Sequence, residues 1–365
     1  MQRRPQRRRV PHHQPERHPH LRLRVLLQLT APPEGDGASG GLAFRLNGLE
    51  VHTEDDQSSL LDVLRDRFAC RSVKDGCSPQ GQCGCCTVWV DGSARVACVT
   101  PARRVAGRSV TTLEGLDPQR RDRWVDAFSA AGASQCGFCT PGILMRLAAL
   151  DDKASSGDDA VRSALLAHLC RCTGWQSILD AARAALGGGG PVAETRDPLL
   201  AAWRAQLEGP VFQSAGSAVV RGDGGFASDS APADALVAVR DRGRVSTGNG
   251  LAEARRGLGK TQGRRSGQAL AYPVGLPGGE WALTLETTWV EPAYLEPDAS
   301  WCRPGAEPAS PLANGGAFGG KRRSPVGAEA RELADATARA VLEVWTREEV
   351  VRRGPKRPPI AAGVR

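Results

Sequence analysis

Ten of the chain's eleven cysteines fall between residues 70 and 172, and they divide into two sets by spacing. The first lies in GCSPQGQCGCCTV, with Cys77, Cys83 and Cys86, followed by Cys98. This is C-x5-C-x2-C…C, one residue longer in its first gap than the plant-type ferredoxin pattern C-x4-C-x2-C…C. Four thiolates around two irons and two sulfides form an anion whose charge grows on reduction, so the chain must wrap it closely with backbone N–H groups. Gly76, Gly81 and Gly84 permit such a wrap. Cys85 competes with Cys86 for the third position, but Cys86 keeps the two-residue gap from Cys83 and is favoured. Cys70, at the end of a predicted helix, reads as a small buried residue.

The second set is QCGFCTPG and HLCRCTGW, giving Cys136-x2-Cys139 and Cys170-x-Cys172. Each pair sits at an end of a predicted helix, so a bundle can bring the two pairs around one centre. A structural Cys₄ zinc site also uses C-x2-C pairs and stays open as an alternative. A C-x-C second pair is tight for a zinc knuckle, however, and a ferredoxin-type set lies just upstream. The spacing therefore predicts two [2Fe-2S] clusters, with the zinc-stabilised binding module as the competing reading.

The elements that must position these thiols are legible in outline. Leu42, Phe44 and Leu46 alternate, Asn47-Gly48 supplies a turn, and a second run continues through Val51, which predicts a hairpin. In SSLLDVLRDRF, Ser58 or Ser59 caps a helix that carries Leu60, Leu64 and Phe68 on one face. After the cysteine loop come a strand at Thr87–Val90, the turn Asp91-Gly92 and a strand through Val99. Together these describe a small α+β domain ending near Leu116. Apolar residues then recur at helical spacing over about 122–131, 141–150, 159–169 and 176–186, with Pro141 suited to a first helical turn. Gly187 to Gly190 and Pro191 read as a flexible linker. Beyond it lie short strand-like pieces, long Gly/Pro stretches and one helix at about 327–345.

Charge argues against a nucleic-acid partner. Residues 1–24 hold eight arginines and one acid, Glu16, a local charge of +7, so the whole remainder of a chain of net +8 sums to only +1. That remainder has no basic stripe interleaved with aromatics. Residues 1–41 read as a disordered basic leader or as translated sequence ahead of the true start. His12, His13, His18 and His20 leave a metal-binding tract or a nucleic-acid arm open there. Arg3-Arg4 hints at an export signal, but Arg22 and Arg24 interrupt the only apolar stretch near it. No apolar run reaches membrane-spanning length, and the expected location is cytoplasmic.

At the two cysteine motifs the chain resembles the iron–sulfur part of the xanthine dehydrogenase, aldehyde oxidase and carbon monoxide dehydrogenase family of molybdenum hydroxylases, over about residues 42–186. The resemblance implies a ferredoxin-like β-grasp domain at 42–117 and a small four-helix [2Fe-2S]-binding domain at 118–187. By matching position it assigns Cys77, Cys83, Cys86 and Cys98 to one cluster, and Cys136, Cys139, Cys170 and Cys172 to the other. The helical-domain cluster lies nearer the molybdenum in that family, and the ferredoxin-like one passes electrons on, usually to FAD. More faintly, VEPAYLEPDASW, NGGAFGGK and WTREEVVRRGPKRP resemble the start of the molybdopterin-binding part. Residues 188–280 then correspond to a linker and shortened hammerhead-like region, and 281–365 to a partial α/β molybdopterin-type region. Gly316, Phe318 and Gly319 of the glycine-rich loop are its implied molybdopterin contacts.

Three departures qualify that resemblance. Arg322 stands where the xanthine-type enzymes place a glutamate, Val290 aligns with a glutamine of the molybdenum site, and the sequence ends at Arg365, before the family's catalytic glutamate. The expectation is an electron-transfer chain with no catalytic residue of its own, which would need an additional molybdopterin-binding catalytic chain and, if flavin is used, a partner carrying FAD. A non-catalytic remnant that binds clusters is the alternative.

Overall fold

The computed structural model describes residues 41–54, 57–77, 80–151, 157–187, 216–259, 272–290, 293–309 and 315–365, with isolated positions between 197 and 207. The expectations for the leader (1–41), apart from Gly41, and for the Gly187–Pro191 linker, apart from Gly187, fall outside the described residues. Residues 41–365 form one compact unit.

The first sheet has the order β2-β1-β5-β3-β4, built from β1 (Leu42–Leu46), β2 (Leu49–Thr53), β3 (Thr87–Val90), β4 (Ser93–Val96) and β5 (Ser109–Thr111). Both hairpin turns form as expected, because Asn47-Gly48 and Asp91-Gly92 all take positive φ. The Ser59 side chain accepts the Asp62 N–H and caps α1 (Leu60–Asp62). A π-turn over Val63–Arg67 follows in place of the regular helix expected, and Leu60, Leu64 and Phe68 still all face the core. The last strand of this sheet stops at Val96, not Val99; Ala97–Val99 is a 3₁₀ turn, and that bend carries Cys98 off the sheet towards the cysteine loop.

Four helices follow: α2 (Pro118–Ala130), α3 (Thr140–Ala148), α4 (Asp158–Ala164) and α5 (Gln176–Ala185). Asp117 caps α2, with Pro118 in its first turn. The third helix ends at Ala164, short of the expected 169, so residues 165–169 are free to turn towards the cysteines. One continuous apolar core runs through residues 42–186, from Phe44 and Leu64 to Trp124, Leu144 and Ile178.

The remaining described elements are α6 (Ser217–Val220), α7 (Ala227–Ser230), β6 (Leu236–Asp241), β7 (Arg244–Gly248), α8 (Leu251–Leu258), β8 (Leu283–Glu286), β9 (Ala299–Cys302), α9 (Val326–Thr337), β10 (Val341–Trp345), α10 (Arg347–Arg353) and β11 (Ala361–Val364). They include a four-stranded sheet of order β7-β6-β10-β9 and a two-stranded β11-β8 ribbon. The helix expected over 327–345 is corrected here: it stops at Thr337, Ala338 takes a left-handed φ of 51°, and residues 341–345 are a strand. All five residues of VLEVW are buried because β10 is a central strand, and a strand buried on both faces has no alternation to distinguish it from helix.

Glu343 in β10 is fully buried and bound by Arg240 Nε at 2.5 Å. Burial pushes its carboxyl up to about 7 against the pull of Arg240. An unfolded glutamate titrates near ~4.3, so between that value and 7 the folded state holds a proton that the unfolded state has released. Stability contributed by this group is therefore present below ~4.3 and is lost as pH rises through the folded value. Glu343→Gln should flatten the fall in thermal midpoint between pH 5 and 8 relative to the parent. An equal or steeper fall in the variant would reject this account.

Candidate iron–sulfur centres

Residues 76–77 and 80–86 lie between the π-turn region and β3, and Gly81 and Gly84 take positive φ there. The Gln80 N–H points at Cys77 Sγ (3.3 Å), and the Cys98 N–H at Cys86 Sγ (3.4 Å). The Cys77 side chain interacts with those of Cys83 and Cys98, and Cys98 also with Cys86. These neighbours pull Cys77 far below an ordinary thiol, while Cys83 and Cys98 are pushed up. All four cysteines of the first set thus meet in one place.

Cys85 is also fully buried and borders this group: its thiol donates to the Cys83 carbonyl at 3.9 Å, and a methyl on Gly76 would lie 3.2 Å from its sulfur. It lies on the side facing the second set, where it acts in turn on Cys139. Cys70 is buried and bonds weakly to the Phe68 carbonyl, as a small core residue would.

The second set also converges. Cys136 and Cys139 lead into α3, and Cys170 and Cys172 lie between α4 and α5. Cys136 interacts with Cys172, Cys139 with Cys170, and Cys170 with Cys172 through their side chains. Cys136 and Cys170 are pulled down by these neighbours, whereas Cys139 and Cys172 are pushed up. Among the described residues no His, Cys, Asp and Glu group surrounds the centre of a single metal ion. Two four-thiol sets lined by close glycines fit [2Fe-2S] clusters: a methyl on Gly76 would sit 3.0 Å from Cys83 Sγ, and one on Gly316 3.4 Å from Cys172 Sγ.

The sets are tied to each other. The Leu169 N–H donates to the Cys83 carbonyl at 2.9 Å. His168 Nε2 lies 2.9 Å from Thr87 Oγ1, and its ring packs so closely on Gly84 that a methyl there would overlap it. Burial, then the nearby Arg146, hold His168 down to about 4, so the ring is neutral at physiological pH. Gly142 in α3 presses on the Gly84 carbonyl and Cys85, leaving no space for a side chain. Nothing in the spacing alone singled out His168 or Gly142 for these contacts; their adjacency to HLCRC and CTPG was the only signal.

The C-terminal half reaches both sets. Arg347 Nη2 donates to the Gly76 carbonyl and to Leu295 O, each at 2.6 Å. Of the glycine-rich loop, Gly316 lies against Cys172, Phe318 is more than half exposed beside Arg171, and Gly319 (φ 83°) has open space around it. The loop ends at Lys321, which is buried and paired with Glu296 at 2.6 Å. Burial, opposed by Lys321, pushes Glu296 up to about 7.

Comparison with known proteins places this geometry. A family profile described as "[2Fe-2S] binding domain" matches residues 112–183. The isoquinoline 1-oxidoreductase subunit alpha of Brevundimonas diminuta is 40% identical over 140 residues, 38% of this chain and 91% of the relative. The xanthine dehydrogenase iron-sulfur-binding subunit of Escherichia coli O157:H7 is 40% identical over 144 residues, 38% of this chain and 86% of the relative. The aldehyde oxidoreductase of Megalodesulfovibrio gigas is 41% identical over 142 residues, but only 16% of its length is matched. The solved structure of the Desulfovibrio gigas aldehyde oxidoreductase superposes with a TM-score of 0.62 at 21% identity, covering 87% of this chain and 51% of that one. The fold likeness therefore extends well beyond the cysteine region, while the chain spans about half of the solved protein. The chain belongs to the [2Fe-2S] iron–sulfur subunits of the xanthine dehydrogenase and aldehyde oxidoreductase family.

Proposed function

We propose that the chain carries electrons through two [2Fe-2S] clusters, one held by Cys77, Cys83, Cys86 and Cys98 and the other by Cys136, Cys139, Cys170 and Cys172. The convergence of each set of four thiols, joined by the Leu169–Cys83 hydrogen bond, is the observation that carries this reading. Each cluster, when bound, accepts and releases one electron. The protein's part is to hold the thiols, shield them and keep the two sets adjacent. His168, Gly84 and Gly142 fix the spacing between the loops, and burial of six of the eight cysteines keeps water from them.

In this reading 42–117 is a ferredoxin-like β-grasp domain, 118–187 a helical cluster domain, 188–280 a linker and hammerhead-like region, and 281–365 a molybdopterin-type region. A molybdopterin-binding catalytic chain would meet the second set from the side of Gly316, Phe318 and Gly319, and an FAD-bearing chain would accept electrons where flavin is used. Among the described residues no helix is long and apolar enough to cross a membrane, in keeping with a cytoplasmic complex. Anaerobically prepared protein should contain about four irons and as many labile sulfides per chain, and show two distinct EPR spin systems on reduction. Zinc in place of iron would overturn the assignment.

A further inference from the structure

Six of the eight cysteines are buried; Cys170 and Cys172 are only partly so. The glycine-rich loop that begins at Gly315 packs on Cys172. Gly316 has a φ of 83° and turns its Cα towards Cys172, so that a methyl there would touch both Cys172 Sγ and, at 3.7 Å, Arg171 Cβ. Phe318 holds a left-handed φ of 48°, unfavourable for an aromatic residue and stable only if its surroundings impose it.

The loop is fixed at both ends. At one end Gly315 packs against Glu296, and its carbonyl accepts the Leu295 N–H at 3.2 Å. At the other, Lys321 Nζ bonds to Glu296 Oε2 and to the Pro297 carbonyl at 3.3 Å. Between them Arg171 reaches out of the cysteine set itself. Its Nη1 donates to the Gly316 carbonyl at 2.5 Å, and its guanidinium lies 5.1 Å from the centre of the Phe318 ring. Arg171 separates Cys170 from Cys172 in sequence, and its permanent positive charge sits on Gly316, the residue that packs against Cys172 Sγ. A cluster becomes more negative on reduction, and a fixed neighbouring cation favours the reduced form.

We propose that Arg171 is a positioning residue of the second cysteine set, latching the glycine-rich loop over Cys172 and raising the reduction potential of the centre held there. This rests on the reading that Cys136, Cys139, Cys170 and Cys172 hold a cluster. Arginine suits both tasks: its planar fork bonds the carbonyl while its face stacks on the ring, which lysine cannot do together.

The test is an EPR-monitored redox titration of the full cluster-loaded chain as parent, Arg171→Gln and Arg171→Lys. In the glutamine variant the second spin system should become harder to reduce, by roughly tenfold in the reduction equilibrium, ~59 mV for one electron. The lysine variant should recover more than half of that shift, and the first spin system should stay at the parental potential in both. Loss of the second system's iron from the glutamine variant, with retention in the lysine variant, would support the same role. A second system at the parental potential in Arg171→Gln, or a common shift of both systems, would overturn it; so would loss of that iron from both variants. A parent with a single spin system would instead remove the cluster assignment beneath it, and that is visible before any substitution is made.

Discussion

Cys139→Ser should halve the iron, from about four to about two per chain, and abolish one of the two spin systems while leaving the other unchanged. Cys139 sits at the entry to α3, 4% exposed, with its thiol bonded to Cys170 and burial pushing it further up. Serine offers a harder, poorly ionised oxygen at a site without water to support its charge, so a cluster there would lose a ligand. The first set stands on the loop before β3 and the 3₁₀ turn after β4, away from the helix ends that carry the second, so its signal should survive. Loss of both signals would mean that the two sets fold as one cooperative unit, and loss of neither would exclude Cys139 as a ligand. Iron analysis and EPR of the reduced protein separate the three results.

The second large effect is expected at a residue that is no cysteine ligand. Asp229 in α7 binds both Lys74, 1% exposed, and Arg65, at 2.8 Å, which flank the segment leading into the first cysteine loop. Lys74 also donates to the Gly222 carbonyl at 2.7 Å and lies over the Phe226 ring. Burial alone would raise the Asp229 carboxyl, but Lys74 and Arg65 together hold it below the usual range. Asp229→Ala removes the carboxylate that Lys74 and Arg65 share and leaves two buried cations without it, a change that costs about 3–5 kcal/mol for a buried pair. The expected result is a clear loss of thermal stability, recovered in part by adding Lys74→Met, because an apolar pair of similar volume removes the stranded charge. If the double variant is no more stable than Asp229→Ala, the charge is not the cause. The sign with pH follows: Asp229 stabilises above the unfolded carboxyl value near ~3.9, and this is lost as pH falls through its lower folded value.

Much of the cysteine region was readable without a structure because its signals are local. A C-x2-C gap, Asn-Gly between alternating runs and serine before an apolar helix each act within a few residues, and all appear where the spacing put them. The two four-cysteine groupings were likewise implicit in the motifs, and each grouping meets in space. The helix over 327–345 failed for the converse reason. Val341 to Trp345 is apolar whichever structure it adopts, and only its central place between β6 and β9 made it a strand.

What tertiary structure alone decided are the contacts between segments distant in sequence. Cys85 and Cys86 are neighbours with identical side chains, and only the structure shows that the Cys98 N–H reaches Cys86 Sγ while Cys85 borders both sets. His168 against Gly84, Arg347 on Gly76, Arg171 on Gly316 and Asp229 between Lys74 and Arg65 span from 84 to 271 residues of sequence, counted along the chain for each pair or triad. No periodicity or spacing encodes such pairs. The sequence by itself grouped the cysteines into two candidate sets of four, since ligand spacing is a property of a short stretch of chain. How the two sets are spaced, covered and charged was decided by packing, because burial and field depend on what the rest of the chain brings beside them.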